Sequence, residues 1–178
     1  SEVRPMGRTA SGVKGIELNE EDYVVGVTTA SEGDHILAIT EKGFGKLTPL
    51  YEDGFLGDND HLNYRRTKRG AKGVTTLKAT DKVGGLVAVK AVNLDEDLMC
   101  ITNAGIVIRT HLDQVRVAGR NTQGVKIMNL EGRQRIVSVA IVPHEDVIDE
   151  PLNEVSEGNE EGNENPAPVD NPDNDTSL

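Results

Sequence analysis

The residues best equipped for chemistry in this chain are five cations within eight positions, Arg65, Arg66, Lys68, Arg69 and Lys72, with Gly70 and Gly73 bracketing the last of them. Arg and Lys supply charge and N–H donors to phosphate oxygens, and glycine lets a backbone approach a phosphate closely and take turn conformations. Such a segment suits the outside of a duplex better than a base edge, although a basic loop on a soluble protein is more often a solvated surface. Catalytic candidates are poorer. Tyr23, Tyr51 and Tyr64 have no carboxylates placed around them for metal-assisted nucleophilic chemistry. His35, His61, His111 and His144 are scattered without metal-ligand spacing, and Asp58-Asn59-Asp60-His61 lacks the pattern of a calcium loop. No catalytic residue and no metal site is therefore expected. Cys100, the single cysteine, sits in the apolar run Leu98-Met99-Cys100-Ile101 and reads as a buried, inert thiol.

Net charge conceals how these cations are distributed. The formal total of −11 argues against a nucleic-acid partner, yet Glu145 to Leu178 carries twelve acidic residues and no Lys or Arg. Ser1 to His144 holds eighteen acidic and nineteen basic residues, so the body is close to neutral and the negative charge belongs to the tail. Low hydrophobicity, Pro and repeated Glu, Asn and Asp predict that residues 145–178 are disordered. The tail has two readings: solubility, or electrostatic competition in which it lies across the cationic surface and lowers affinity for a polyanion. No stretch approaches the roughly 20 apolar residues that span a bilayer, and no signal-peptide pattern opens the chain, so a soluble cytoplasmic protein is expected.

The elements that must position the cations are short β-rich runs separated by Gly or Asn. They are Val24 to Ala30, His35 to Thr40, Phe44 to Leu50, Gly73 to Ala79, Leu86 to Val92, Leu98 to Thr102, Gly105 to Leu112, Val125 to Leu130 and Ile136 to Val142. Nine strands and no convincing helix predict an all-β fold. Glu41-Lys42-Gly43 and Asn103-Ala104-Gly105 place Gly where a tight hairpin needs positive φ.

Internal repetition is the stronger signal. Arg8-Thr9-Ala10-Ser11-Gly12-Val13, Arg69-Gly70-Ala71-Lys72-Gly73-Val74 and Arg120-Asn121-Thr122-Gln123-Gly124-Val125 each set an Arg four residues before Gly-Val, and an apolar β run follows each. Ile39-Thr40-Glu41-Lys42-Gly43 recurs as Ile101-Thr102-Asn103-Ala104-Gly105. The copies begin near 4, 64 and 116 within a body of residues 1–144, and the first carries a loop insertion at 53–63. A unit of about 50 residues with about four strands has the size of a propeller blade, which buries its faces only against neighbouring blades. About two and a half to three blades cannot close a ring, so the chain is expected to be a fragment or to associate with something that completes it.

Thr67-Lys68-Arg69-Gly70-Ala71-Lys72-Gly73 resembles the box of the DNA gyrase A subunit, a heptad of Gln, two basic residues, two glycines, a basic residue and glycine. Thr67 replaces the Gln and Ala71 a Gly, as in a degenerate copy from a later blade. Val3-Arg4-Pro5-Met6-Gly7-Arg8-Thr9-Ala10-Ser11-Gly12-Val13-Lys14-Gly15-Ile16, Gly43-Phe44-Gly45-Lys46-Leu47-Thr48 and Val117-Ala118-Gly119-Arg120-Asn121-Thr122-Gln123-Gly124-Val125 are similar to segments of the second half of that subunit's C-terminal DNA-wrapping domain. An acidic tail after the last repeat is also a feature of the family. Leu47 stands where the family usually has a basic residue.

The resemblance implies part of a six-bladed β-pinwheel whose positive rim binds and bends double-stranded DNA without reading its sequence. It implies a segment without cofactor or active site of its own, within an ATP-dependent type II topoisomerase that introduces negative supercoils. The catalytic tyrosine, ATP and Mg2+ would belong to other domains, the partners would be the remainder of the gyrase A subunit and the gyrase B subunit in an A2B2 holoenzyme, and the location would be the nucleoid. By analogy the phosphate contacts are Arg65, Arg66, Lys68, Arg69 and Lys72, then Arg8, Lys14, Lys46, Arg120 and Lys126. For Arg8 and Arg120 a structural role stands beside this one, because a guanidinium serves loop carbonyls as readily as phosphates. Two alternatives stay open: the C-terminal domain of the topoisomerase IV A subunit, with degenerate boxes, and a propeller-like protein-interaction scaffold.

Overall fold

The computed structural model describes residues 3–52 and 62–145, all within one unit, Ser1–Glu145. The 53–61 part of the predicted insertion and the tail from 146 onward lie outside the described residues. Among the described residues seven strands form in chain order: β1 (His35–Thr40), β2 (Phe44–Pro49), β3 (Leu86–Val92), β4 (Glu96–Thr102), β5 (Val107–His111), β6 (Val125–Lys126) and β7 (Ile136–Pro143). A single 3-10 turn, Leu112–Gln114, is the only helical piece among the described residues. The all-β expectation holds.

Two antiparallel hairpins organise the chain, and each ends its turn as the repeated motif predicts. Gly43 N–H donates to Thr40 O at 3.1 Å and Gly105 N–H to Thr102 O at 3.0 Å, with φ of 82° and 78° at the two glycines. The hydroxyls of Thr40 and Thr102 then accept from Phe44 N–H and Ile106 N–H, which closes each turn in the same way.

Neither hairpin is a sheet by itself. Strand β3, from the second copy, pairs antiparallel with β1, and β7, from the third copy, pairs antiparallel with β4. The sheets are therefore ordered β3-β1-β2-β6 and β5-β4-β7, each a hairpin completed by chain from a later copy. A shared core fills the space between them, in which Leu37, Ile39, Leu47, Val92, Leu98, Leu112 and Ile136 are buried. Cys100 lies in this core as expected, and burial pushes its thiol up to about 11, which leaves it protonated at neutral pH.

Three of the predicted strands come out differently, for one physical reason. Val24 to Ala30 and Gly73 to Ala79 form no ladder, and Val125 to Leu130 is a strand only over its first two residues. A strand exists only where a partner's N–H and C=O groups meet it. The run after each Arg-x-x-x-Gly-Val motif pairs with the hairpin that precedes it in the chain, and Val24 to Ala30 has no hairpin between it and Val3. It stays outside the sheets instead, with Val24 and Val27 63% and 88% exposed, and the Thr28 hydroxyl accepts from Ala91 N–H of β3.

The left-handed glycine of the motif recurs with its geometry intact. Gly12, Gly73 and Gly124 have φ of 79°, 80° and 76°. Their surroundings differ. A Cβ at Gly73 would meet nothing within 4 Å, whereas one at Gly124 would sit 2.5 Å from Gly45 O, because the third copy packs on β2. Gly73→Ala should therefore cost about 1 kcal/mol from φ strain alone and Gly124→Ala about 2 kcal/mol, a contrast measurable by urea denaturation. Equal losses would mean that the third copy does not press on β2 as described.

Candidate nucleic-acid interface

The basic segment forms a turn held down by a neighbouring stretch of chain. Ala71 N–H donates to Lys68 O at 3.1 Å, just as Ala10 N–H donates to Gly7 O at 3.1 Å in the first copy. Gly70 N–H donates to Gly15 O at 2.9 Å, and Ala71 O accepts from Glu17 N–H at 3.0 Å. These bonds set the turn beside Lys14, whose stem carbons come within 3.9 Å of where a Gly70 side chain would begin. Arg65, Arg66, Thr67, Lys68, Arg69, Lys72 and Gly73 are all exposed, as are Arg8 and Lys14, and Gly70 and Ala71 are half-buried at the base. Six cations, counting Lys14, thus share one small surface.

The same docking recurs one copy later. Lys78 N–H donates to Thr122 O at 3.0 Å, and Lys78 and Thr122 occupy the repeat positions of Glu17 and Ala71. Each turn therefore rests on the stretch that leads out of the preceding turn. Successive turns are thus related by one repeated contact.

Not every predicted contact residue faces outward. Lys46 is a correction: it is wholly buried in β2, and its ammonium donates to Gly119 O, to Arg120 O at 2.8 Å and to Thr122 Oγ1 at 3.1 Å. Burial, with the nearby Arg120 charge, lowers its pKa to about 8. The analogy fails at this position because both faces of β2 are covered and Lys46 lies under the third copy. Arg120 takes the structural role that stood beside the functional one. The residue is half-buried, and its guanidinium donates to Thr75 O at 3.1 Å and lies 5.8 Å from the Tyr64 ring centroid, bracing the third turn on the second copy. Lys126 is exposed in β6 and lines a different cleft, of about 540 Å3, together with Lys42, Lys82, Arg133 and Arg135 and one carboxylate, Glu41.

Folding also brings together residues that looked scattered. His111 Nδ1 and His144 Nδ1 each lie 2.8 Å from Asp97 Oδ1, and Arg109 Nε donates to Asp97 Oδ2 at 2.6 Å. Burial alone would raise the Asp97 carboxyl, but the hydrogen bonds from His111, His144 and Arg109 outweigh it and hold the group at about 2. The Asp97 hydrogen bond in turn raises the pKa of His111. Spacing in the sequence, 14 and 47 residues from Asp97, gives no hint of this group, because it depends on which strands pair.

Stacked antiparallel sheets that exchange strands between copies, with each repeated turn docked on the copy before it, define a repeat domain of the β-propeller type. The family described as "DNA gyrase C-terminal domain, beta-propeller" matches residues 1–31, 34–52, 63–93 and 96–143, and the chain belongs to that family. The DNA gyrase A subunit of Ureaplasma parvum serovar 3 is 47% identical over 152 residues, covering 85% of this chain and 17% of that protein. The gyrase A subunit of Metamycoplasma arthritidis is 46% identical over 153 residues, 85% of this chain and 16% of that protein. The chain thus spans about a sixth of the length of these curated relatives. A solved DNA gyrase A C-terminal domain superposes with a TM-score of 0.66 at 27% identity, covering 79% of this chain and 44% of its own. The C-terminal domain of a DNA topoisomerase IV superposes with a TM-score of 0.65 at 23% identity, covering 80% and 42%, which shows the shared fold. Among the described residues no helix is long and apolar enough to cross a membrane.

Proposed function

We propose that this chain binds double-stranded DNA through its phosphates, without reading sequence, and bends it along the edge of basic turns as part of a DNA gyrase A subunit. The observation that carries this reading is the repeated docking bond, Glu17 N–H to Ala71 O and Lys78 N–H to Thr122 O, which lines the turns up in series. Bending a 20 to 30 bp site by 40 to 90° costs on the order of 1 to 6 kcal/mol, so cationic contacts must recur along the path rather than gather at one point. Arg65, Arg66, Lys68, Arg69, Lys72, Lys14 and Arg8 are the proposed phosphate contacts. Lys126, with Lys42, Lys82, Arg133 and Arg135, supplies a second cationic surface. Lys46 and Arg120 hold the third turn in place instead. Aromatic residues make up 3% of the chain, too few for single-strand binding by base stacking.

In this reading the breakage chemistry, ATP and Mg2+ reside elsewhere in the gyrase A and B subunits, and the chain serves negative supercoiling on the nucleoid by presenting a curved duplex. Relatives 47% and 46% identical are gyrase subunits, which favours gyrase over topoisomerase IV. The clustered exposed cations favour DNA over a protein-interaction scaffold.

The test is ring closure by ligase of linear duplexes near the persistence length, about 150 bp, where bending limits the rate. The chain should accelerate closure, and an unchanged rate in its presence would reject the reading. Deleting Glu145 to Leu178, which removes twelve acidic groups and no cation, should tighten DNA binding at low salt if the tail competes for the basic edge. Equal affinity with and without the tail would leave it only a solubilising role.

A further inference from the structure

The edge of basic turns leaves the Asp97 group unexplained. Asp97 pairs with His111 across the β4–β5 ladder and with Val142 across the β4–β7 ladder. Side chains two residues apart in extended chain fall on the same side, so His144, two residues beyond Val142, reaches the face that carries Asp97 and His111. Asp97 is 4% exposed, while the His111 and His144 side chains are 23% and 40% exposed, so the group is open on the histidine side. One nitrogen from each imidazole and one carboxylate oxygen lie within 4.8 Å of one another, and the rings stand 4.2 Å apart.

Charge balance does not require this arrangement. Arg109 already neutralises Asp97 through Oδ2 and ties the end of β7 by donating to Pro143 O at 3.1 Å. Two further imidazoles crowd the one oxygen that Arg109 leaves open. Two imidazole nitrogens and a carboxylate oxygen gathered within 4.8 Å are the donor set of a zinc-type site, with bonds of about 2.0 to 2.2 Å. A tetrahedral ion holds such atoms roughly 3.3 Å apart; the two nitrogens now lie 2.8 Å from Oδ1 and within 4.8 Å of one another, so small movements of the two partly exposed rings open the site. The surroundings also match what orients metal ligands. Arg109 holds the second carboxylate oxygen, and Asp113 Oδ2 lies 3.9 Å from His111 Nε2, the nitrogen left free to carry a proton.

We propose that Asp97 Oδ1, His111 Nδ1 and His144 Nδ1 bind one divalent transition-metal ion of Zn2+ type, with solvent in the fourth position, and so fasten the end of β7 to β4 and β5. On loading, each neutral imidazole keeps its proton count: the proton on Nδ1 is replaced by the metal bond, and one is taken up on Nε2. The ion would anchor Pro143 and His144 at the point where the acidic stretch begins at Glu145.

The test uses the full 178-residue chain, stripped with chelator and titrated with Zn2+ against a chromophoric competitor, then with Co2+ for its visible spectrum. One equivalent should bind, His111→Gln and His144→Gln should each weaken it at least about tenfold, and His35→Gln, outside the group, should change nothing. Zn2+ should raise the melting temperature of the native chain and not that of His144→Gln, whose site lies past the strand end and outside the core. Bound Co2+ should give the intense absorption of a tetrahedral ion. No stoichiometric uptake, uptake undiminished in both histidine variants, or the weak spectrum of a fully hydrated ion would each overturn the proposal and leave a hydrogen-bonded clamp.

Discussion

Replacing Arg65, Arg66, Lys68, Arg69 and Lys72 together by Gln should flatten the slope of log K against log salt by about 3 to 4 units. Each phosphate neutralised contributes about 0.9 to that slope through counterion release, and a turn of this size reaches about four phosphates. Between 50 and 200 mM salt the native chain should consequently lose on the order of 100-fold more affinity than the variant. Stability should hardly change, because all five side chains are exposed and make no part of the core. A filter-binding titration across salt reads the result, and parallel slopes would remove this turn from the DNA footprint. Lys46→Met and Arg120→Gln serve as controls. Neither should alter the slope directly, since one cation is buried and the other is engaged by a carbonyl and a ring.

The second large effect is on stability. Lys46→Ala should destabilise the fold by roughly 3 to 4 kcal/mol, because it opens a cavity between β2 and the third copy and strips donors from Gly119 O, Arg120 O and Thr122 Oγ1. Lys46→Met keeps most of the volume and also removes the cost of burying a charge, so it should recover most of that loss. The comparison separates packing from hydrogen bonding, and denaturant melts of the two variants provide it. Equal losses in Ala and Met would show that the ammonium bonds outweigh the filled volume.

The sign of the pH dependence follows from the same residue. The folded-state pKa of about 8 lies below the ordinary 10.5, so the unfolded chain binds more protons between these values and stability rises with pH there. Below about pH 8 the penalty of the buried charge is fully present. From about pH 8 to 10.5 the native chain should therefore gain stability relative to Lys46→Met, and a difference that stays flat across this window would contradict the assignment.

The three Arg-x-x-x-Gly-Val copies and the two Thr-x-x-Gly turns were legible because their geometry is local. A left-handed φ admits Gly almost alone, so Gly12, Gly73 and Gly124 mark their own conformation whatever surrounds them. The apolar run Leu98 to Ile101 likewise announced a strand with Cys100 in the core. The charge segregation that separates a neutral body from an acidic tail is also a property of the chain alone.

Partnership is what the chain could not announce. Gly73 and Gly124 share a φ, yet only Gly124 is pressed against a neighbouring carbonyl. Lys46 and Lys72 are equally cationic, yet one lies under the third copy and the other on the exposed edge. Val24 to Ala30 and Leu86 to Val92 have the same apolar character, but only the second meets a hairpin to bond with. His111 and His144 converge on Asp97 solely because β5 and β7 flank β4. Local sterics and composition act within a few residues and are written residue by residue. Burial, ladder pairing and the meeting of distant side chains depend on which surfaces face each other, and that is settled only when strands from different copies pack into common sheets.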